Sequence, residues 1–186
     1  MPALLSAMTD SAADQRSRRA ELDRLMPQLY DELLAAASRQ LRREFGPRSI
    51  QPAMLVHEAY LRLAQYTPAN TDRAHVLALA AHTMRQVLVD RARERNAEKR
   101  GGEWAKVSLT DGVATAAVDQ TEFLALNDAI ERLDPRQRQV VECRFFAGLD
   151  DNETAAALGV ATRTVQRDWT KARAWLGRWL SENNAT

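Results

Sequence analysis

From Ser17 to Leu41 apolar side chains recur every three or four residues, at Leu22, Leu25, Met26, Leu29, Tyr30, Leu33, Leu34, Ala37 and Leu41. This spacing predicts one face of a helix about seven turns long. Pro27 falls inside the pattern. Either the helix begins near Met26 with proline in its first turn, or Arg16 to Leu25 forms a separate short helix; in both cases a break is expected at the proline. Phe45-Gly46-Pro47 is a strong stop signal. A second stripe, Leu55, Val56, Ala59, Tyr60 and Leu63, predicts an amphipathic helix whose His57, Glu58, Arg62 and Gln65 face elsewhere. After the turn-like Thr67 to Thr71 comes a long helix, Asp72 to about Lys99, with Val76, Leu77, Leu79, Ala80, Thr83, Met84, Val87, Leu88 and Ala92 inward. Its last turns, DRARERNAEKR, are almost wholly charged.

Gly101-Gly102 ends this block, and the following stretch to about Asp119 keeps no period and reads as a linker. Helical spacing resumes in FLALNDAIERL and again in LDPRQRQVVECRFFAGL, where Asp134 is placed to cap and Pro135 to take the first helical position. The period therefore predicts an all-α chain of two small helical domains joined by a flexible linker. A loose tail covers residues 1–15, an N-terminal domain 16–100, the linker 101–119, and a C-terminal four-helix unit 120–182.

The unit ends in GLDDNETAAALGVATRTVQRDWTKARAWLGRWL, which reads as helix, tight turn, helix. Asp150 or Asp151 caps the first helix, Gly159 supplies the left-handed residue that closes it, and Thr162 or Ala161 opens the second. On the second helix Val165, Trp169, Ala172, Leu176 and Trp179 form an apolar stripe, while Arg163, Gln166, Arg167, Thr170, Lys171 and Arg173 lie largely opposite. A helix of this kind can lay its polar side in the major groove of DNA, where arginine, lysine and glutamine match base edges and phosphates. An amphipathic hairpin with a merely solvated basic face has the same pattern, and this stretch alone leaves both readings open.

Composition narrows the class. Only 7 glycines and 6 prolines in 186 residues suit a helical protein, and a net charge of +1 argues against one that coats nucleic acid. The basic residues are instead clustered, at Arg16 to Arg19, Arg39 to Arg43, Arg91 to Arg100 and Arg163 to Arg178. Cys143 has no partner for an internal disulfide, and with Val140 and Phe146 as helical neighbours it reads as a small buried apolar residue. No apolar run reaches membrane-spanning length and no secretory signal pattern opens the chain, so no membrane association and a cytoplasmic location are expected. His57, His75 and His82 lack the spacing and partners of a metal site, and neither a phosphate loop nor an activated nucleophile is evident. No metal, cofactor or enzymatic activity is expected.

Three colinear blocks, MLVHEAYLRL, HVLALAAHTMRQVLVDRARERNAEKRGG and LDPRQRQVVECRFFAGLDDNETAAALGV with TVQRDWTKARAWL, make the chain resemble the extracytoplasmic-function (ECF) sigma factors of bacterial RNA polymerase over roughly Met26 to Leu180. The resemblance implies a factor that joins core RNA polymerase at the largest-subunit coiled coil and the flap. The helix carrying His57, Glu58, Arg62 and Gln65 would dock on the coiled coil. The loop from Gln65 to Arg73, with Tyr66, Asn70 and Arg73, would capture an extruded base of the −10 element, and Arg85, Arg91, Arg93, Arg95, Lys99 and Arg100 would follow the promoter backbone. About half of these cations are expected to touch DNA, the rest being solvated or paired. Thr162, Arg163, Thr164, Gln166, Arg167, Thr170 and Lys171 would read the −35 element.

One departure concerns control. The family commonly carries acidic residues just before its polymerase-binding helix, whereas Ser49, Ile50, Gln51, Pro52 and Ala53 contain none. A basic partner would meet a less complementary surface. In some members a Ser/Thr kinase adds the missing charge on a threonine; here Ser49 is the hydroxyl of the segment, and an anti-sigma factor is the other mode of control the family implies. The alternative reading is a stand-alone helix-turn-helix regulator that never enters polymerase.

Overall fold

The computed structural model describes residues 12–44, 50–66, 72–101 and 120–183, and these are all-helical. Seven helices follow in order: α1 (Ala12–Glu44), α2 (Pro52–Tyr66), α3 (Arg73–Gly101), α4 (Gln120–Glu131), α5 (Pro135–Val141), α6 (Asp151–Leu158) and α7 (Thr162–Asn183), with a π-helical turn, Glu142–Ala147, continuing α5. The residues expected to form the linker from Gly102 to Asp119, the stop at Phe45 to Pro47, the loop from Thr67 to Thr71 and the kinase-segment Ser49 lie outside the described residues.

The expected break at Pro27 is absent: α1 runs through it and begins at Ala12, ahead of the anticipated start at Arg16. The reason is tertiary. Pro27 is exposed, while Leu22 and Leu29 on either side of it, and Leu33, Ala36, Ala37 and Leu41 beyond, are buried against α2 and α3. Continuous burial of that face outweighs the backbone bond that proline cannot donate. Because the cost remains, Pro27→Ala is expected to stabilise the chain by about 1–3 kcal/mol, read as a higher midpoint in thermal unfolding. An unchanged or lower midpoint would show that the missing bond carries no penalty.

In the second half the caps fall where the chemistry requires. Asp134 accepts from the Arg136 amide at 3.0 Å with Pro135 beside it. Asp150 Oδ1 accepts from the Asn152 and Glu153 amides, each at 2.8 Å, while Glu153 Oε2 accepts from the Asp150 amide at 2.9 Å, a reciprocal capping box. Gly159 sits at φ 64°, and the Val160 amide closes back on the Ala155 carbonyl at 3.0 Å. At the head of α7 the Ala161 carbonyl accepts the first bonds, from Thr164 and Val165, and the Thr162 hydroxyl instead reaches Asn152 at 3.1 Å.

One apolar core joins both halves. It runs from Leu22, Leu33 and Leu55 through Met84 and Leu88 to Phe123, Ile130, Phe146 and Ala172. A smaller cluster, Val140, Ala155 and Val165 with Leu158, Val160 and Trp169 around it, holds α6 and α7 at their mutual angle. The outer face of α7 is left to solvent.

Candidate nucleic-acid interface

On α7, Arg163, Gln166, Arg167, Thr170 and Lys171 are exposed, and Thr162 and Thr164 are half-buried at its N-terminal edge. Together with Ala161, five of these line an open concavity: Arg163, Thr164, Gln166, Arg167 and Thr170. Five of the seven residues expected to read the −35 element thus share one concave surface. Two members are oriented from within the unit. Gln166 Nε2 donates to Asp151 at 3.1 Å, and Asp151 is itself 3.1 Å from Arg144. The Thr170 hydroxyl donates to the Gln166 carbonyl at 2.9 Å and so points along the helix.

A buried acid organises the edge of this surface. Asp168 is 2 % exposed although it belongs to a helix rich in exposed polar residues. Its carboxylate accepts from Arg136 Nε at 2.5 Å and lies 3.6 Å from Arg167 Nε. The Arg136 hydrogen bond, against the opposing effect of burial, holds its pKa below the ordinary aspartate value. Arg136 was not singled out by the sequence reading. The available signal was Asp168 itself, which sits at stripe spacing between Val165 and Ala172 and therefore needs a cation from the neighbouring helix. Trp169 is flanked by the guanidinium groups of Arg144, 4.5 Å from the ring centroid, and Arg173, at 5.9 Å.

The cations of α3 are disposed differently from the expectation. Arg93 is exposed and Arg95 half-buried, its Nε donating to the Arg91 carbonyl at 3.3 Å. Arg91 is 2.7 Å from Glu58. Arg85 requires a correction: it is fully buried, donating to Asn127, to Glu131 at 2.8 Å and to Glu142 at 2.6 Å. No phosphate reaches it in this arrangement, because the guanidinium lies at the packed seam between α3, α4 and the π-helical turn. Arg73 is partly exposed but held by Glu32 and, at 2.8 Å, by Glu153. These two carboxylates raise its pKa further above the arginine value. The side chains of Tyr66, Lys99 and Arg100, and Asn70 entirely, lie outside the described residues.

On α2, His57 and Gln65 are exposed, whereas Glu58 turns toward Arg62 and Arg91, and Arg62 bonds Asp90 at 2.7 Å. The exposed side also carries Met54 and Leu61, 57 % and 48 % exposed, with Tyr30 of α1 at 43 %. Met54, His57, Leu61 and Gln65 follow one another at helical intervals outside the buried stripe, a spacing that marks Met54 and Leu61 as apolar residues the core does not use. Gln51 and Ala53 are exposed, and the first turn of α2 holds no acidic residue.

Cys143 is buried, and desolvation, with the Glu142 charge beside it, pushes its thiol up to about 12. It is a packing residue at any physiological pH. Glu142 is 6 % exposed. Burial pushes its pKa upward, yet the His82 contact at 3.0 Å and the Arg85 charge outweigh it and leave the group below the ordinary glutamate value. Among the described residues no helix is long and apolar enough to cross a membrane, and no group of three or more His, Cys, Asp or Glu is placed to hold a metal.

Residues 12–182 match the family described as ECF sigma factor. Among solved structures, the chain is similar to that of CnrH in complex with the cytosolic domain of CnrY, at 16 % identity and a TM-score of 0.42, covering 90 % of this chain and 95 % of that one. No curated protein matches.

Proposed function

The chain belongs to the ECF sigma factor family, and from that premise we propose that it binds core RNA polymerase and directs it to promoters, acting on cytoplasmic DNA without chemistry of its own. The single observation that carries the promoter-reading half is the polar face of α7. It is exposed along its length, backed by the Val140–Ala155–Val165 cluster and joined to α6 through the left-handed turn at Gly159, with Thr162 and Gln166 bonded back to Asn152 and Asp151. A rigid helix presented in this way reads base edges of the −35 element through Arg163, Gln166, Arg167 and Lys171. Arg136, held by Asp168 at the edge of the same surface, adds a phosphate contact.

The exposed strip Met54, His57 and Leu61, with Tyr30 beside it, supports α2 as the polymerase-binding helix. Apolar side chains left outside a well-filled core suit a partner surface. Arg93, with Lys99 and Arg100 further along α3, would follow the promoter backbone, and the loop between α2 and α3, with Tyr66 and Asn70, would take the −10 base. Run-off transcription with core polymerase on a library of genomic promoters tests the reading. Products that depend on both the polymerase and this chain are expected, and their absence across the library would overturn it.

Control by a kinase is proposed at Ser49. The first turn of α2 lacks acidic residues, so added negative charge there gains both the helix dipole and a basic partner. Ser49→Asp is expected to raise transcription about tenfold or less, with the gain fading as salt is raised. Equal polymerase-dependent output from both proteins would remove phosphorylation as the switch.

A further inference from the structure

Gln166 and Thr170 lie one turn apart on the exposed face of α7 and line the same concavity. Either residue type can donate or accept at a base edge. Here a donor of each is already engaged within the helix-turn-helix unit. Gln166 Nε2 donates to Asp151 Oδ2 at 3.1 Å, and the Thr170 hydroxyl donates to the Gln166 backbone carbonyl at 2.9 Å. A carboxylate can only accept, so the amide nitrogen of Gln166 has to face Asp151 and its Oε1 is turned away from it. The single hydroxyl proton of Thr170 is taken up by the helix backbone, which leaves that oxygen only its lone pairs.

Asp151 is in turn held from behind. It is the first residue of α6, beside the capping box of Asp150 and Glu153, and its Oδ1 is 3.1 Å from Arg144 Nη2. Arg144 lies 4.5 Å from the centre of the Trp169 ring, and Trp169 packs against the cluster of Val140, Ala155 and Val165. A negative charge next to a DNA-facing surface weakens binding, and the arginine offsets it. An acidic residue in the first turn also suits the positive end of the helix dipole, but that role is served whichever way the Gln166 amide points. The bond to Gln166 carries a separate consequence, for base choice.

We propose that Asp151 is a positioning residue for sequence selection: it sets the amide of Gln166 so that Gln166 and Thr170 present hydrogen-bond acceptors, and the bases they face must carry an exocyclic amine. The proposal deepens the promoter-reading assignment of α7 and rests on it. In the major groove adenine offers N6–H and cytosine N4–H, whereas guanine O6 and thymine O4 are acceptors and would meet Oε1 lone pair to lone pair. Adenine is favoured over cytosine, because its N7 also takes the second N–H of Gln166. Arg163, Arg167 and Lys171 follow one another at four-residue steps on the adjacent ridge and can only donate. The recognition face is therefore divided into a ridge of donors and a ridge of acceptors, and Asp151 keeps Gln166 on the second.

The test uses the full chain with core polymerase and a duplex promoter library randomised across the −35 element, with run-off products counted base by base. Gln166→Ala identifies the position that Gln166 faces, as the one where preference collapses. There the unsubstituted chain is expected to favour adenine, then cytosine, over guanine and thymine by about tenfold. In Asp151→Asn the introduced amide can donate to Oε1 and let Gln166 turn over, so the preference should fall to about twofold or less. Asp151→Asn/Gln166→Glu places an acceptor-only side chain against a donor, and the amine preference should return, with cytosine gaining on adenine. A purely structural role for Asp151 would shift total output or the unfolding midpoint, but not the choice among bases, and the double variant would restore nothing. An unchanged preference in Asp151→Asn with native helix content would overturn the proposal, as would a preference for guanine or thymine in the unsubstituted chain or a Gln166→Ala variant that alters no position. The same library is also selected for binding to the chain alone. An amine preference that moves with Asp151 in that selection, without any polymerase-dependent product, would defeat the sigma-factor reading and leave the positioning role intact. Absence of any base preference in both selections would overturn the positioning role.

Discussion

Arg167→Ala combined with Lys171→Ala is expected to remove promoter selectivity while leaving binding to core polymerase unchanged. Both side chains are exposed on the outer face of α7, and Arg167 flanks the buried Asp168 without being its principal partner, since Arg136 is closer. The guanidinium of Arg167 can therefore turn toward a base edge at little cost to the fold. A good contact of this kind discriminates by about 1–3 kcal/mol, and two contacts on one rigid helix add. The double variant should lose on the order of 30-fold or more in run-off product from a preferred promoter relative to a scrambled −35 sequence. Arg173→Ala serves as the comparison, because Arg173 lies over the Trp169 ring on the flank of the helix. It should cost much less selectivity. If the double variant chose promoters as the unsubstituted chain does, the reading face would have to lie elsewhere on the C-terminal unit.

The helices themselves were legible because burial leaves a period in the sequence. Leu55, Val56, Ala59 and Leu63, and Val76, Leu77, Ala80, Met84, Val87 and Leu88, are buried as their spacing requires. The caps at Asp134 and Asp150 and the turn at Gly159 were legible for a similar reason, since each answers a local need of the backbone. What the period does not reveal is what covers a face. Ala81, Arg85, Leu88 and Ala92 follow one another at four- and three-residue steps and are all buried, so Arg85 lies on an apolar stripe and not among the exposed cations of the same helix. Asp168, between Val165 and Ala172, and Gln40, whose amide donates to the Ala81 carbonyl at 3.2 Å, obey the same rule. A polar residue at a stripe position marks a seam where another helix must supply its partner. For Arg85 that partner comes from residues more than forty positions away, which no local pattern can name. Pro27 failed as a breaker for the complementary reason: its local penalty was visible, but the burial that overrides it was not.

The shared core makes the second large prediction a test of how the halves depend on each other. Phe146→Ala is expected to lower stability by about 3–5 kcal/mol, as for other fully packed aromatic residues. At about 2–4 °C per kcal/mol for a chain of this size, the unfolding midpoint should fall on the order of 10 °C. Phe146 is 2 % exposed, lies edge-on to Phe145 with centroids 5.1 Å apart, and packs in the cluster that contains Met84 and Leu88 of α3. Truncation therefore leaves a void at the seam rather than within one helical unit. The smaller cluster of Val140, Ala155 and Val165 does not include Phe146, so α6 and α7 should keep their mutual packing. Heat or urea unfolding followed both by far-ultraviolet dichroism and by tryptophan fluorescence, to which Trp169, Trp175 and Trp179 contribute, distinguishes the two effects. Coincident transitions are expected for the unsubstituted chain and separated ones for Phe146→Ala, because only the substituted seam fails to couple the halves. A midpoint lowered by less than about 2 °C, with transitions still coincident, would mean that Phe146 is not what joins them.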